Sequence, residues 1–314
     1  MSFVARLDSA EQVARLVECL LSPDKRSDGR AHVSIDAAGM EFSVMGRSRC
    51  TRATLTLPAA RFAAFSCQDG DENEVQRGDD FEALTFAVDV QALVDCLRIF
   101  GGGDAECGMS YVQRDEVFKI TLEEPGAFTA CDVHVLEGLE GEDECEDNDL
   151  AASFRGSPVV AHVLATSATL RDVVQDLDES SVAAATVRLA VGPAPARVRL
   201  SANGSIGGVQ IDVPRDCFVI FEPPAVKRRW SYPSAAFHQG MRALQLAEET
   251  SLRINDFGML GVQHMIAADA GEAENVYLEF ICCAEEPDAA AGDASASPEA
   301  RRAPPTSPEA SPAF

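Results

Sequence analysis

Apolar and polar positions alternate along most of the chain, and four longer segments carry apolar residues at helical spacing instead. The predicted helices are 10–21, 90–100, 168–177 and 234–247. The predicted strands are 3–7, 31–35, 41–46, 51–57, 83–88, 106–113, 117–122, 128–135, 159–165, 185–191, 197–201, 208–213, 217–221, 227–232, 259–266 and 276–283. The pattern therefore predicts an α+β protein in which amphipathic helices cover antiparallel sheets.

Each predicted helix has one apolar stripe, as in the first helix, where Val13, Leu16, Val17 and Leu20 fall on one face. Every helix follows a strand and precedes further strands, so a strand–helix–strands unit occurs twice in each half of the chain. This recurrence indicates an internal structural repeat without detectable residue similarity between the units. Periodicity alone does not choose among the ways in which such units pack.

An acidic segment divides the two halves. Residues 137–149 contain eight carboxylates and few large apolar residues, which is typical of a solvated linker. We predict an N-terminal domain at 1–136, an acidic connector at 137–154, a C-terminal domain at 155–286 and a disordered tail at 287–314. Three Ser-Pro steps in the tail, at Ser297, Ser307 and Ser311, are either phosphorylation sites or accidents of a biased composition.

Three blocks carry a family resemblance. Asp256 to Ile266 reads DFGMLGVQHMI, 278–283 reads LEFICC, and 86–100 reads FAVDVQALVDCLRIF. In this order and spacing they resemble the Rad-one subunit of the heterotrimeric DNA-damage checkpoint clamp, a family related to proliferating cell nuclear antigen. The resemblance implies a sliding-clamp fold with two similar domains, each with two helices packed on antiparallel sheets, and with helices lining the inside of a ring.

Charge and cysteine content bear on partners. With 26 basic and 51 acidic residues the formal net charge is −25, which by itself argues against nucleic-acid binding. Much of the acid lies in 69–80 and 137–149, however, so one face could still be basic. The ten cysteines form no CxxC pair, so no structural metal is predicted. No apolar run of about 20 residues occurs, which favours a reducing intracellular compartment and no membrane association.

Cations on the polar helix faces are the candidate DNA-facing residues. They are Arg15, Lys25, Arg26, Arg30, Arg98, Arg171, His238 and Arg242. In a ring they would attract phosphates without sequence preference. The alternative is an ordinary solvated helix surface, because Glu18, Asp95, Asp172 and Asp176 share these faces.

A second basic cluster, Lys227 to Arg229 followed by Trp230 and Tyr232, could flank or stack on a nucleic acid. The competing interpretation, which we favour, is a strand whose side chains alternate between exposed cations and core aromatics. The two readings differ in whether the aromatic rings are accessible.

Two strands correspond by position to the edges through which clamp subunits pair. The resemblance assigns this role to 107–114 and 184–191, with Met109, Tyr111, Val187 and Leu189 at or near the two interfaces. The alternative is that they are internal strands of a monomer.

Catalysis finds little support. Asp69, Asp71 and Glu72 could hold Mg²⁺ in a nuclease, but they lie in a Gly-containing acidic loop without a flanking apolar strand. We find no phosphate loop, nucleophile elbow or zinc-binding helix motif, so no enzyme activity, metal or cofactor is predicted.

The resemblance implies a nuclear subunit that joins two other clamp-like subunits in a ring. A clamp loader would place this ring around double-stranded DNA at damage sites, where it recruits repair and checkpoint proteins. The alternatives are a 3′–5′ DNA exonuclease in repair and a homotrimeric replication clamp.

Overall fold

The computed structural model describes residues 1–21, 29–68, 83–100, 105–136, 147–180, 184–205, 207–267 and 274–285. The helices in these ranges are α1 Ala10–Glu18, α2 Val90–Leu97, α3 Asp147–Arg155, α4 Ser167–Ser180 and α5 Ser234–Met241. The strands before α3 are β1 Ser2–Leu7, β2 Arg30–Asp36, β3 Gly39–Met45, β4 Thr51–Pro58, β5 Ala64–Gln68, β6 Leu84–Asp89, β7 Glu106–Val112, β8 Val117–Glu124 and β9 Ala127–His134. Those after it are β10 Val159–Thr166, β11 Thr186–Pro193, β12 Ala196–Asn203, β13 Gly208–Pro214, β14 Ile220–Glu222, β15 Arg228–Pro233, β16 Glu249–Asn255, β17 Leu260–Ile266 and β18 Val276–Cys282.

In the described ranges all strand pairs are antiparallel, and they form three sheets. Sheet A has the order β5-β1-β7-β8-β9, and sheet C has the order β13-β12-β11-β15. Sheet B has the order β14-β10-β16-β17-β18-β4-β3-β2-β6. The α+β class predicted from the sequence is confirmed.

Sheet B joins the two halves of the chain through one strand pair. β18, the last strand, pairs with β4 from Tyr277 opposite Thr56 to Cys282 opposite Thr51. Sheet B therefore consists of a five-stranded part from the C-terminal half and a four-stranded part from the N-terminal half. Hydrogen bonds of the main chain, which do not depend on side-chain identity, make this junction.

The helices pack on the sheets through the predicted apolar stripes. Val13, Leu16 and Val17 of α1 are buried, and so are Val90, Leu93 and Val94 of α2. Side-chain caps start both helices. Ser9 accepts the amide of Gln12 at 3.3 Å, and Asp89 accepts the amide of Ala92 at 2.7 Å.

Some elements differ from the prediction. The fourth predicted helix stops at Met241 and continues as a 3₁₀ turn, Arg242–Gln245, while a 3₁₀ turn at Arg215–Cys217 replaces the start of the strand predicted at 217–221. β5, β16 and α3 were not predicted. α3 occupies the second part of the predicted connector, whereas 137–146 lie outside the described residues.

A buried polar chain links α4, β16, β17 and α5. The Nε2–H of His264 donates to the Gly240 carbonyl oxygen at 2.7 Å, so Nδ1 accepts from the Thr250 hydroxyl at 2.9 Å. Thr250 in turn accepts from the hydroxyl of Ser167 at 2.7 Å. Burial lowers the pKa of His264 from 6.5 to about 4, because the charged ring would lose its hydration.

We expect this histidine to make the protein acid-sensitive. The unfolded chain takes up a proton on His264 near pH 6.5 and the folded chain only near pH 4, so its contribution to stability is complete above pH 6.5 and is lost as the pH falls towards 4. Between pH 7.5 and 5 this loss is about 2 kcal/mol. Urea unfolding followed by the fluorescence of the single tryptophan measures it.

His264→Gln should remove this part of the pH dependence. His134→Gln, which makes the same substitution at an exposed histidine of β9, should keep it. Equal pH dependence in the two variants would contradict the assignment.

Candidate subunit interfaces and DNA-facing surface

Two strands end their sheets in a way that suits pairing with another chain. Among the described residues, β9 pairs with β8 alone and β13 pairs with β12 alone. Phe128 of β9 is 66% exposed, which is unusual for a large apolar side chain in a strand. An unpaired strand edge with apolar side chains is a template for strand addition.

The β18–β4 junction shows how such an edge is covered. β4 and β13 are counterparts in the two halves, because each ends in a proline, Pro58 or Pro214, that is followed by a 3₁₀ turn. Leu55 of β4 is fully buried beneath the pairing with β18. Ile211, its counterpart in β13, is only half-buried. β13 thus has the surface of a strand whose neighbour is missing.

The prediction that 107–114 and 184–191 are edge strands at the subunit interfaces is wrong. β7, which contains Met109 and Tyr111, pairs with β1 on one side and β8 on the other. β11, which contains Val187 and Leu189, pairs with both β12 and β15. All four side chains are buried inside the chain's own core, so they cannot contact a neighbour.

Most of the predicted DNA-facing cations that the structure describes are held by protein groups. Arg98 forms two hydrogen bonds with the Glu18 carboxylate, at 3.2 and 2.9 Å, and lies 3.6 Å from Glu11. The hydrogen bonds to Glu18 raise the pKa of Arg98 above its usual value. Arg171 donates to the Leu244 carbonyl oxygen at 3.2 Å.

The other candidates divide into three groups. Arg242 donates to the Leu21 carbonyl oxygen, and the His238 ring contacts the Asp178 carboxylate. Arg15 is exposed on α1, and Arg30 is half-buried at the start of β2. Lys25 and Arg26 lie outside the described residues.

Acidic side chains are interleaved with these cations on the helices. They are Glu11, Glu18, Asp95, Asp172, Asp176 and Asp178. Ion pairs with these groups lower the positive charge that the cations could offer to a phosphate.

The second basic cluster consists of Lys227, which precedes β15, and residues of β15 itself. Trp230 is 9% exposed and Tyr232 is fully buried, whereas Lys227 and Arg229 are exposed. The interpretation as a strand with alternating core aromatics and surface cations is therefore confirmed. The buried rings are not available for stacking on bases.

Buried thiols do not supply a nucleophile. Burial raises the pKa of Cys107 and of Cys282 to about 12, and that of Cys19 to about 11, so these groups stay protonated at neutral pH. Among the described residues, no group of three or more His, Cys, Asp or Glu side chains could hold a metal ion. Asp69, Asp71 and Glu72 lie outside the part of the chain that the structure describes. In that part, no helix is long and apolar enough to cross a membrane.

Sequence reasoning missed a helix that covers the junction within sheet B. Phe154 of α3 is 2% exposed and packs with Met259 and Ile281. Gly261 makes room for this ring, since a Cβ there would lie 2.4 Å from it. Arg155 of α3 lies 3.2 Å from the Glu279 carboxylate of β18. The Leu-Ala-Ala-Ser-Phe spacing at 150–154 was the available signal, and the preceding acidic run obscured it.

Comparison with known proteins identifies the family to which the chain belongs. The sequence model of the repair protein family Rad1/Rec1/Rad17 matches residues 2–266. The chain belongs to this family. The resemblance seen in the sequence blocks is therefore confirmed, and this Rad1-family chain is a checkpoint clamp subunit by membership.

Individual relatives cover nearly the whole chain. The human cell cycle checkpoint protein RAD1 is 25% identical over 296 residues, which are 91% of this chain and 92% of that protein. The mouse protein of the same name is 26% identical over 90% of this chain and 92% of its own length. The DNA repair protein Rad1 of Drosophila melanogaster is 22% identical over 89% and 92%.

A solved structure confirms the clamp fold. A chain of the PCNA2–PCNA3 complex from Sulfolobus tokodaii superimposes with a TM-score of 0.66 at 12% identity, over 90% of this Rad1-family chain and 98% of that chain. At this identity the match concerns the fold alone.

We expect α3 to depend on its phenylalanine. Phe154→Ala should weaken the docking of α3 by about 3 kcal/mol, the low end for a buried Phe→Ala change, and speed amide exchange in α3 by about 100-fold. Hydrogen–deuterium exchange read by mass spectrometry measures this. Phe128→Ala, the same change at an exposed site, should leave α3 unaffected, and equal exchange in α3 of the two variants would show that the contact does not hold the helix.

Proposed function

We propose that this Rad1-family chain is one segment of a heterotrimeric checkpoint clamp, a ring that encircles double-stranded DNA at damage sites. It joins two different clamp-like subunits, a clamp loader places the ring on DNA in the nucleus, and the ring recruits repair and checkpoint proteins. In this role the chain is a scaffold and has no catalytic activity.

The strand order of the three sheets carries the proposal. Sheet B contains five strands that end at β18, followed by four strands that begin at β4. Sheet A is a five-stranded sheet that ends at β9, and sheet C is a four-stranded sheet that begins at β13. If β9 of this chain paired with the counterpart of β13 in a neighbour, the combined sheet would repeat the order of sheet B. A second neighbour would pair with β13 in the same way.

Because β9 and β13 are different surfaces, the contacts are heterologous and propagate head to tail. Such contacts close into a ring when the rotation per subunit permits. Unlike neighbours, rather than copies of this chain, are supported by the resemblance of the sequence blocks to a subunit of a heterotrimeric clamp and by a structural neighbour that is a chain of a PCNA2–PCNA3 complex.

Weak DNA contact is compatible with this function. A closed ring leaves DNA only when an interface opens or when it slides off an end, so residence does not require strong ion pairs. Arg15 is the exposed candidate on α1, and Arg98, Arg171 and Arg242 contribute positive charge to the helix surface while bonded to protein groups. The His238 ring lies against the Asp178 carboxylate. Lys25, Arg26 and Arg30 remain proposed DNA-facing residues.

We expect that the β9 interface and the β13 interface can each be disrupted without loss of the other. Ile211→Lys in β13 and Cys131→Lys in β9 each place a charge where a neighbour would bury a half-buried side chain. Each variant should lose one of the two clamp-like partners, with Kd rising at least about 100-fold, and keep the other. Native mass spectrometry after co-expression of the three chains reads this.

Val4→Lys is the matched control, since Val4 is exposed on β1, a strand paired on both sides. It should retain both partners. The chain alone should run as a monomer near 33.5 kDa, whereas a self-made trimer would favour the replication-clamp alternative.

We also expect topological retention on DNA. The loaded assembly should stay on a closed circle in about 0.5 M NaCl, which screens phosphate contacts, and leave within minutes once the circle is cut. Arg15→Glu should change retention by less than about twofold. Release from the intact circle by salt alone would contradict encirclement, and Mg²⁺-dependent release of nucleotides by the purified chain would favour the exonuclease alternative.

A further inference from the structure

The solvent-facing side of sheet C carries a cluster of cations on a strongly acidic chain. Strand register places these residues in neighbouring rows, with Arg188 opposite Ser201 and Ser231, and Ala190 opposite Arg199 and Arg229. In the next row Gly192 lies opposite Arg197 and directly beneath the Lys227 side chain. We call this set the sheet C cation face. Its members are Arg188, Arg197, Arg199, Lys227 and Arg229.

This face already binds one carboxylate. Asp212 of β13 accepts from Arg199 at 2.6 and 3.0 Å in a two-pronged arrangement, and Arg197 approaches it to 2.9 Å. The hydrogen bond from Arg199 lowers the pKa of Asp212, with further lowering from Arg197 and Lys227. The guanidinium groups are thus arranged to bind oxyanions such as carboxylate and phosphate through two oxygens.

Three members of the cluster have capacity for a further anion. Arg188, Lys227 and Arg229 form no ion pair with any described residue. Arg188 and Arg229 lie on paired strands about 4.8 Å apart, and Lys227 directly precedes β15, so two of them can reach one phosphate group at the same time. A segment with spaced negative charges would fit this face better than a single ion.

The chain itself brings such a segment to this sheet. The amide of Glu285, the last described residue, donates to the Ser231 carbonyl oxygen of β15 at 2.8 Å, and the Glu285 carboxylate accepts from Thr186 at 3.0 Å. The C-terminal tail therefore starts at the β15 edge of sheet C, opposite the edge formed by β13. Residues 286–314 contain five acidic residues and two arginines, together with the Ser-Pro steps at Ser297, Ser307 and Ser311.

Reach and charge both allow the tail to occupy the face. The 12 residues from Glu285 to Ser297 span at most about 40 Å when extended. Sheet C is four strands wide, or roughly 15 Å. Phosphorylation adds about −1.5 to −2 charges per serine, and covalent attachment gives the tail a high effective concentration near the face.

We propose that the sheet C cation face is the docking site for the phosphorylated C-terminal tail of the same chain. Phosphate groups at the Ser-Pro steps bind Arg188, Lys227 and Arg229, and the tail lies across the outer side of the sheet. Docking of this kind makes the outer surface of the subunit responsive to a proline-directed kinase. The proposal does not depend on ring formation.

Protease protection of the full-length chain tests this. Arg301 and Arg302 are the trypsin sites of the tail and lie between Ser297 and Ser307. With phosphoserine at both serines, cleavage at these sites should be at least about fivefold slower than in the unmodified chain at low salt. The protection should disappear in about 0.5 M NaCl. Intact mass measured against time reads the cleavage.

Charge reversal identifies the partner of the phosphates. Arg188→Glu with Arg229→Glu should abolish the difference between phosphorylated and unmodified chains. The matched control, Arg114→Glu with Lys119→Glu, makes the same change in net charge on exposed residues away from sheet C and should keep it. If the first pair disturbs folding, judged by Trp230 fluorescence, Lys227→Gln with Arg229→Gln replaces it.

Two results would overturn the proposal. Protection that persists in the sheet C variants would mean that phosphate hinders trypsin directly. Unchanged cleavage on phosphorylation, together with a loss of affinity for a 30-base-pair duplex in the sheet C variants alone, would assign the face to nucleic acid instead.

Discussion

Main-chain pairing between β18 and β4 is the interaction on which the rest of the architecture depends. Every strand at the border of a sheet has amide and carbonyl groups that need partners. The chain satisfies one such border internally, where its last strand joins the fourth, and α3 covers the junction with Phe154. The corresponding borders at β9 and β13 have no such partner in the described residues. The chain thus makes one such strand pair internally, between β18 and β4, and leaves the two counterpart strands, β9 and β13, each with one side unpaired within the described ranges.

The helix layer follows a different principle from the sheet borders. Its apolar stripes are used within the chain, and its polar side is occupied by ion pairs and by bonds to carbonyl oxygens, as with Arg98 and Arg171. In the proposed ring such a surface would attract DNA weakly, and closure of the interfaces, rather than phosphate binding, would set how long the ring stays on DNA.

Errors in the sequence-based prediction cluster where pairing partners matter. Met109 and Val187 were placed at interfaces because their strands correspond by position along the chain to the edge strands of the resembled family, yet position along the chain does not say which strands lie on either side of a given strand. β5 and α3 were missed because half-exposed short strands and helices next to acidic runs have weak periodicity. The alternation at Trp230 and Tyr232, by contrast, was sufficient, because burial of every second side chain is a local property of a strand.

The residues by themselves determined the α+β class, the positions of the four amphipathic helices, the alternation in most strands and, through three blocks, the family. These features depend on local periodicity or on similarity in the order of residues. Only the tertiary structure decided which strands are borders, that the two halves share sheet B, and that Arg98 and Arg242 are already bonded. It also decided that four cations from three strands, together with Lys227 just before β15, form one face. Those outcomes depend on which distant segments pair, and the backbone groups that pair are the same in every strand, so a local pattern does not identify the partner.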